Sequence, residues 1–145
     1  MRKHGKPKRL EKISGTGLNA WPDEERAIQV KLSLDRFDQW QIRRKQIADY
    51  YSDRLKNVRP SPSYSTWNTH KYAVFFKDKL KTPQALKDIG IETVIHYTES
   101  YGGVGYPQTD FYVKSALSIP LNPYLTDSEV EKVVESINRQ ESFQL

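Results

Sequence analysis

Cysteine is absent from the 145 residues. That removes disulfides, thiolate nucleophiles and cysteine–zinc sites together, and it fits the cytoplasm, where the chain is expected to reside. Long apolar runs are missing too. None approaches the roughly 20 residues that span a bilayer, so no membrane partner is expected. The N-terminal MRKHGKPKRLEK carries charge with no apolar segment behind it, so no secretory leader is expected. Histidine is scarce: His4, His70 and His96 are the only three. Their separations match no ligand spacing, so no metal site is expected. The chain has no G-x-S-x-G elbow, no H-E-x-x-H and no phosphate loop. Its acids lie on helices with wet outer faces, so paired catalytic carboxylates are not claimed. No catalytic residue is assigned.

What is present suits one soluble domain. Hydrophobic residues make up 37% and charged residues 28%, enough for a real core at this length. Lysine and arginine number 23 against 18 acids, a net charge of +5. Much of the excess lies at the start, where Arg2, Lys3, Lys6, Lys8, Arg9 and Lys12 face only Glu11. Such an arm binds nucleic acid by releasing counterions, or is simply a solvated tail. No recognition-helix pattern follows it, and the tail is the reading taken.

Residues 1–20 lack periodicity and read as a basic arm and loop. Residues 21–145 read as one domain. Pro22 suits the first turn of a helix, and Asp23, Glu24 and Glu25 suit its positive end. Apolar residues recur at Ala27, Val30, Leu34, Phe37, Trp40, Ile47, Tyr51 and Leu55. These steps predict one long amphipathic helix, or two joined near Asp35. RPSPSYSTWN reads as a loop, and THKYAVFF, residues 69–76, as a strand. Next, KTPQALKDIG carries Thr82 as cap, Pro83 at the helix start and Gly90 as terminator. IETVIHY reads as a second strand, and residues 99–112 as a long glycine-rich loop. ALSIPL is a short third strand, stopped by Pro120. TDSE at 126–129 is a capping box, with Val130, Val133, Val134 and Ile137 behind it. The whole predicts an α+β fold.

GTGLNA, residues 15–20, fits one form of the dinucleotide fingerprint, but its context fails. A fingerprint needs a buried strand before the glycines and a second strand after the helix. RLEKI is too charged for the first, and the long helix occupies the place of the second. Asn19, beside a helix start, either closes the turn and caps the helix or helps hold an anion such as phosphate.

In order along nearly the whole chain, the motifs resemble the C-terminal part of the DegT/DnrJ/EryC1/StrS sugar aminotransferases. A family hinge of h-G, G-x-N-x-R and D-E-x-x-A-A is matched by His4-Gly5, by Gly17, Asn19 and Trp21, and by Asp23-Glu24 and Ala27. LDRFDQWQIRRKQIADYYSDRL is similar to the family's long helix. HKYAVFF, LKDIGIETVIHY and ALSIPLNPYLTDSEVEKVVESIN are similar to its later strands and closing helix.

The resemblance implies a small domain of fold-type-I pyridoxal phosphate enzymes: a long helix or helix pair, then a small, mainly antiparallel sheet covered by helices. It implies amino transfer to a keto-sugar nucleotide in the full-length family. It also implies that Asn19 bonds the cofactor phosphate across a dimer interface, and that His96 and Tyr97 border the substrate. Trp21 stands where the family has arginine, so a charged fork is lost and packing is its expected role. A second family histidine falls on Gly102, which puts sugar recognition in doubt. The residues themselves leave His96 open between a strand-end bond and a site role, and favour a structural role for His70. The lysine-bearing large domain is not matched. The chain alone is therefore expected to bind no pyridoxal phosphate and to be inactive. It is expected to form a homo-oligomer or to join a large-domain chain, since an uncovered long helix leaves an apolar patch. The other readings are an interaction module pairing with a separate chain, and a basic nucleic-acid binder.

Overall fold

The computed structural model describes residues 23–56, 58–60, 70–95 and 106–139. The chain divides into two compact units, Met1–Asp38 and Gln39–Leu145.

In the first unit, helix α1 spans Glu24–Asp35. Asp23 caps it by accepting the Arg26 N–H at 2.8 Å. Glu24 and Glu25 sit in the first turn, where the exposed N–H groups favour negative charge. Asp23, expected within the first turn, is thus the cap and the helix begins at Glu24; Pro22 lies outside the described residues. It ends at Arg36, whose N–H turns back to the Ser33 carbonyl at 3.3 Å. The break predicted near Asp35 is therefore real. The amphipathic reading of this segment is not. All of α1 is exposed, with Ile28, Val30, Leu32 and Leu34 each more than half open to solvent. Its apolar side chains point to several sides, so no single stripe forms.

Helix α2, Phe37–Arg54, begins a burying face as it enters the second unit. Ile47, Ala48, Tyr51 and Leu55 are buried at helical spacing. They meet a three-stranded antiparallel sheet of β1 (Arg59–Pro60), β2 (Tyr72–Phe75) and β3 (Ala116–Ile119), in that order. Tyr72 pairs with Ile119 and Phe75 with Ala116, so β2 is central. Side chains alternate across a strand, and β2 uses both faces. Tyr72, Val74 and the following Phe76 join the main core, while Phe75 stacks on Phe111 and Tyr112 at centroid distances of 5.0 and 4.8 Å. Those two rings belong to helix α4, Pro107–Ser115, which covers that second face.

Three predictions for the middle of the chain need correction. RPSPSYSTWN is not wholly loop, because Arg59 and Pro60 pair with β2. Proline is tolerated there as the edge strand needs no inward N–H. IETVIHY does not form a strand among its described residues. It makes one bridge, Val94 to Ser118, while Ile91 enters the core. The loop predicted over 99–112 ends at Tyr106, since Pro107 opens α4; its missing N–H costs nothing in a first turn.

Helix α3, Thr82–Asp88, starts without a side-chain cap. Thr82 is not the cap predicted for it. It lies inside the helix, buried, with Oγ1 donating to the Asp78 carbonyl at 2.6 Å. Asp78 organises the turn instead, its Oδ1 accepting the Leu80 and Lys81 N–H groups. Gly90 terminates the helix at φ 81°, a conformation that favours glycine. The Ile91 and Gly90 N–H groups close on the Leu86 and Lys87 carbonyls at 2.9 and 2.8 Å, a Schellman end.

Helix α5, Asp127–Asn138, buries Val130, Val133, Val134 and Ile137. Its capping box is complete. Thr126 Oγ1 accepts the Glu129 N–H, and the Glu129 carboxylate accepts the Thr126 N–H at 2.8 Å. The Thr126 N–H and the Thr126 hydroxyl, both donating to it, hold the Glu129 carboxyl below the ordinary carboxylate range. Helices α2 and α5 are tied at two places. Arg43 donates to the Leu125 carbonyl and Asp127 at 2.8 and 2.7 Å. Asn138 donates to the Arg54 carbonyl and accepts the Lys56 N–H. It thereby satisfies a carbonyl that the end of α2 leaves open. Replacing Thr126 by alanine removes one arm of the box, and urea unfolding is expected to show a loss of about 1 kcal/mol.

Candidate functional site

Asn19, Trp21, His96, Tyr97 and Gly102 all lie outside the described residues. His70 is described, and the structure places it beside groups that the sequence did not bring together. It is exposed just before β2 and lines an open pocket of about 360 Å³. That volume is at the small end of ligand sites.

Three segments build this pocket. The first is α2, which contributes Trp40 and Arg44, one turn apart and so on one face. The second is the approach to β2, which contributes His70. The third is the turn after β3, with Leu121, Asn122, Pro123 and Tyr124. Asn122 shapes that turn. Its Oδ1 accepts the Tyr124 N–H at 3.0 Å, and its carbonyl accepts the Leu125 N–H at 3.1 Å. Tyr124 then meets Trp40 edge to face, with centroids 5.9 Å apart at 73°.

The two neighbouring arginines have different duties. Arg43 is committed to the start of α5. Arg44 is half-buried, and Nη1 donates to the neutral Gln41 Oε1 at 2.7 Å. Among the described residues, no carboxylate lines the pocket. Its polar equipment is therefore a guanidinium, an imidazole and an amide. Sequence reading assigned Trp40 to an apolar stripe and His70 to structure, and it passed over Arg44, Asn122 and Tyr124. The available signal was the tryptophan–arginine pair one turn apart; the turn's part in the site is a matter of tertiary placement.

A pyridoxal phosphate cofactor requires a lysine amine that forms and exchanges a Schiff base. Among the described residues, the pocket has no lysine on its walls. Among the described residues of the second unit, the buried lysine is Lys79, whose amine donates to the Val113 carbonyl and so ties the turn before α3 to α4. Burial lowers its pKa. The described residues thus do not fit the whole group, and no step of amino transfer is derived from them. They also include no cluster of three or more histidine, aspartate or glutamate side chains placed to hold a metal ion. No described helix is long and apolar enough to cross a membrane.

Residues 1–138 match the DegT/DnrJ/EryC1/StrS aminotransferase family. Among curated proteins, the chain is 27% identical to dTDP-3-amino-3,6-dideoxy-alpha-D-galactopyranose transaminase of Aneurinibacillus thermoaerophilus, over 96% of this chain and 42% of that one. It is also 27% identical to the erythromycin biosynthesis sensory transduction protein EryC1 of Saccharopolyspora erythraea, over 94% of this chain and 42% of that one. Among solved structures, Streptomyces venezuelae DesV in complex with a ketimine intermediate superposes with a TM-score of 0.79 at 20% identity, covering 95% of this chain and 41% of DesV. At that identity the likeness concerns the fold. The chain spans about two fifths of the length of these relatives.

Proposed function

From a chain that belongs to the DegT/DnrJ/EryC1/StrS aminotransferase family, we propose that these 145 residues are the C-terminal, small-domain portion of a pyridoxal-phosphate-dependent nucleotide-sugar aminotransferase-like protein. The observation that carries this reading is a family match running through residue 138 while the chain spans only 42% of a curated relative's length. Residues 21–145 form the domain, preceded by the basic arm and loop. Asn19 donates to the cofactor phosphate across a dimer interface. His96 and Tyr97 border the nucleotide-sugar substrate. The amine that carries the chemistry comes from a portion of the protein that these residues do not match. The chain by itself is inactive and cytoplasmic.

An interaction module is the second reading. It is favoured by α1, a helix whose apolar side chains are open to solvent along its length. In both readings the domain works only when joined to something else.

Borohydride trapping tests the claim of inactivity. The purified chain is incubated with pyridoxal phosphate, reduced, and mapped by mass spectrometry. Scattered, substoichiometric labelling of surface lysines is expected. One lysine labelled stoichiometrically would show that the chain carries its own aldimine-forming amine, and the proposal of inactivity would be abandoned.

A further inference from the structure

The geometry of the pocket between α2 and the turn after β3 points to a docking site for a proline-rich segment of another protein, with an acidic residue flanking the prolines. Three observations converge on it. The first is the ring pair. Trp40 and Tyr124 meet edge to face, with Leu121 and Pro123 beside them, and Tyr124 is 67% exposed. Crossed rings that are still open to water offer an electron-rich face and a flat wall to a small aliphatic ring. Proline presents such a ring, and aromatic-lined sites dock proline-rich segments. The ordering cost is small, because the segment already holds its extended polyproline conformation.

The second observation is hydrogen bonding. The acceptors of Asn122 are spent: its Oδ1 takes the Tyr124 N–H, and its carbonyl takes the Leu125 N–H. The donors are not. The Asn122 amide hydrogens and the Trp40 indole N–H have no partner among the described residues. A helix uses its own carbonyls, and a strand brings N–H groups that need acceptors. A polyproline segment leaves its carbonyls unbonded, and proline has no N–H to satisfy. Free donors beside spent acceptors suit that backbone best.

The third observation is charge. Arg44 is half-buried, and Nη1 donates to the uncharged Gln41 Oε1, its one bonding partner among the described residues. A guanidinium has five donors, and a carboxylate matches their fork. An aspartate or glutamate next to the prolines supplies that charge. Arg43 does not compete for it, since it is committed to Asp127 and the Leu125 carbonyl. The rings thus select proline, and Arg44 selects the sign of the flanking residue. No role proposed for Asn19, His96 or Tyr97 enters here.

The test uses the full 145-residue chain, labelled with nitrogen-15. The probe is a peptide of five prolines with a glutamate at each end and both termini blocked, so that either chain direction can place an acid at Arg44. Saturable shifts are expected at the Trp40 indole and at the Asn122 and Tyr124 amides. The same prolines flanked by lysines are expected to bind at least about tenfold more weakly. Two glutamates on a glycine–serine spacer of equal length are expected not to saturate up to about 10 mM. Tyr124→Ser keeps the N–H that Asn122 holds, and so keeps the turn. It is expected to abolish binding with the amide spectrum otherwise preserved. Arg44→Gln is expected to retain proline binding but to take the glutamate and lysine peptides within about twofold of each other. Absence of saturation by the glutamate peptide up to about 10 mM, equal binding of the glycine–serine peptide, or a Tyr124→Ser chain that binds like the parent would each overturn the inference. So would an Arg44→Gln chain that still prefers glutamate about tenfold. A blocked peptide copying residues 59–66, RPSPSYST, that binds more tightly than the glutamate peptide would also overturn it, by making this chain its own occupant.

Discussion

Tyr51→Ala is expected to lower folding stability by about 3–5 kcal/mol, enough to move the thermal midpoint down by more than about 10 °C. Tyr51 is fully buried in the last turn of α2. Its ring meets Tyr72 edge to face at 5.3 Å, and its hydroxyl donates to the Pro120 carbonyl at 2.9 Å. One side chain thus fastens α2 to β2 and to the end of β3. Alanine leaves a ring-sized cavity and an unpaired carbonyl together. Tyr51→Phe separates the two effects. It keeps the ring, loses only the hydrogen bond, and is expected to cost about 1–2 kcal/mol by urea unfolding.

The same pair of variants fixes an alkaline limit. Burial pushes the Tyr51 hydroxyl pKa well above its usual value, reinforced by Tyr72 and opposed by Arg43. Burial raises Tyr72 as well, against the Ser52 hydrogen bond that lowers it. Each phenol must stay protonated in the fold, while the unfolded chain gives up its proton near pH 10. The stability they contribute is therefore complete below about pH 10 and falls as the pH rises further. The urea midpoint should drop above pH 10 in the parent and less steeply in Tyr51→Phe. Equal slopes would remove Tyr51 from the account.

How far the sequence revealed these features depended on how local their causes are. Thr126 and Glu129 stand three residues apart at the start of α5, so the capping box could be read directly. Gly90 and Pro120 act through their own backbones, and both ended elements where expected. The burying face of α2 was visible because Ile47, Tyr51 and Leu55 recur at helical spacing against one continuous core. Residues 91–95 misled because a strand needs a partner along its length, and Val94 finds only Ser118. Pro107 misled because one residue marks both loops and helix starts. The family was legible, since its motifs keep their order through residue 138. The pocket was not. Trp40, His70 and Asn122 are far apart in the chain and meet only through the packing of α2 against the sheet, which no local signal encodes.

Helix α1 raises the other large expectation, that the free chain self-associates and that two charges on this helix abolish it. Its apolar side chains lie open to water, Ile28 at 59% and Leu32 at 53%. Those two lie one turn apart and share a side of the helix. Val30 at 57% and Leu34 at 65% form a second such pair. Apolar surface on more than one side is costly to leave in water, and covering it is the driving force for association. Burying one such side chain contributes about 1.5 kcal/mol at the low end. Ile28→Glu with Leu32→Glu removes two from each protomer, so a two-fold dimer loses about 6 kcal/mol before the cost of burying the new charges. That is a weakening of about 10⁴-fold in the dimer constant. Sedimentation velocity should show the parent as a dimer or larger species, and the double variant as a monomer at the same concentration. Because α1 lends nothing to the described core, the variant's unfolding midpoint measured at high dilution should match the parent's. A parent that stays monomeric across a wide concentration range would refute self-association, and would leave a separate chain as the expected cover for this helix.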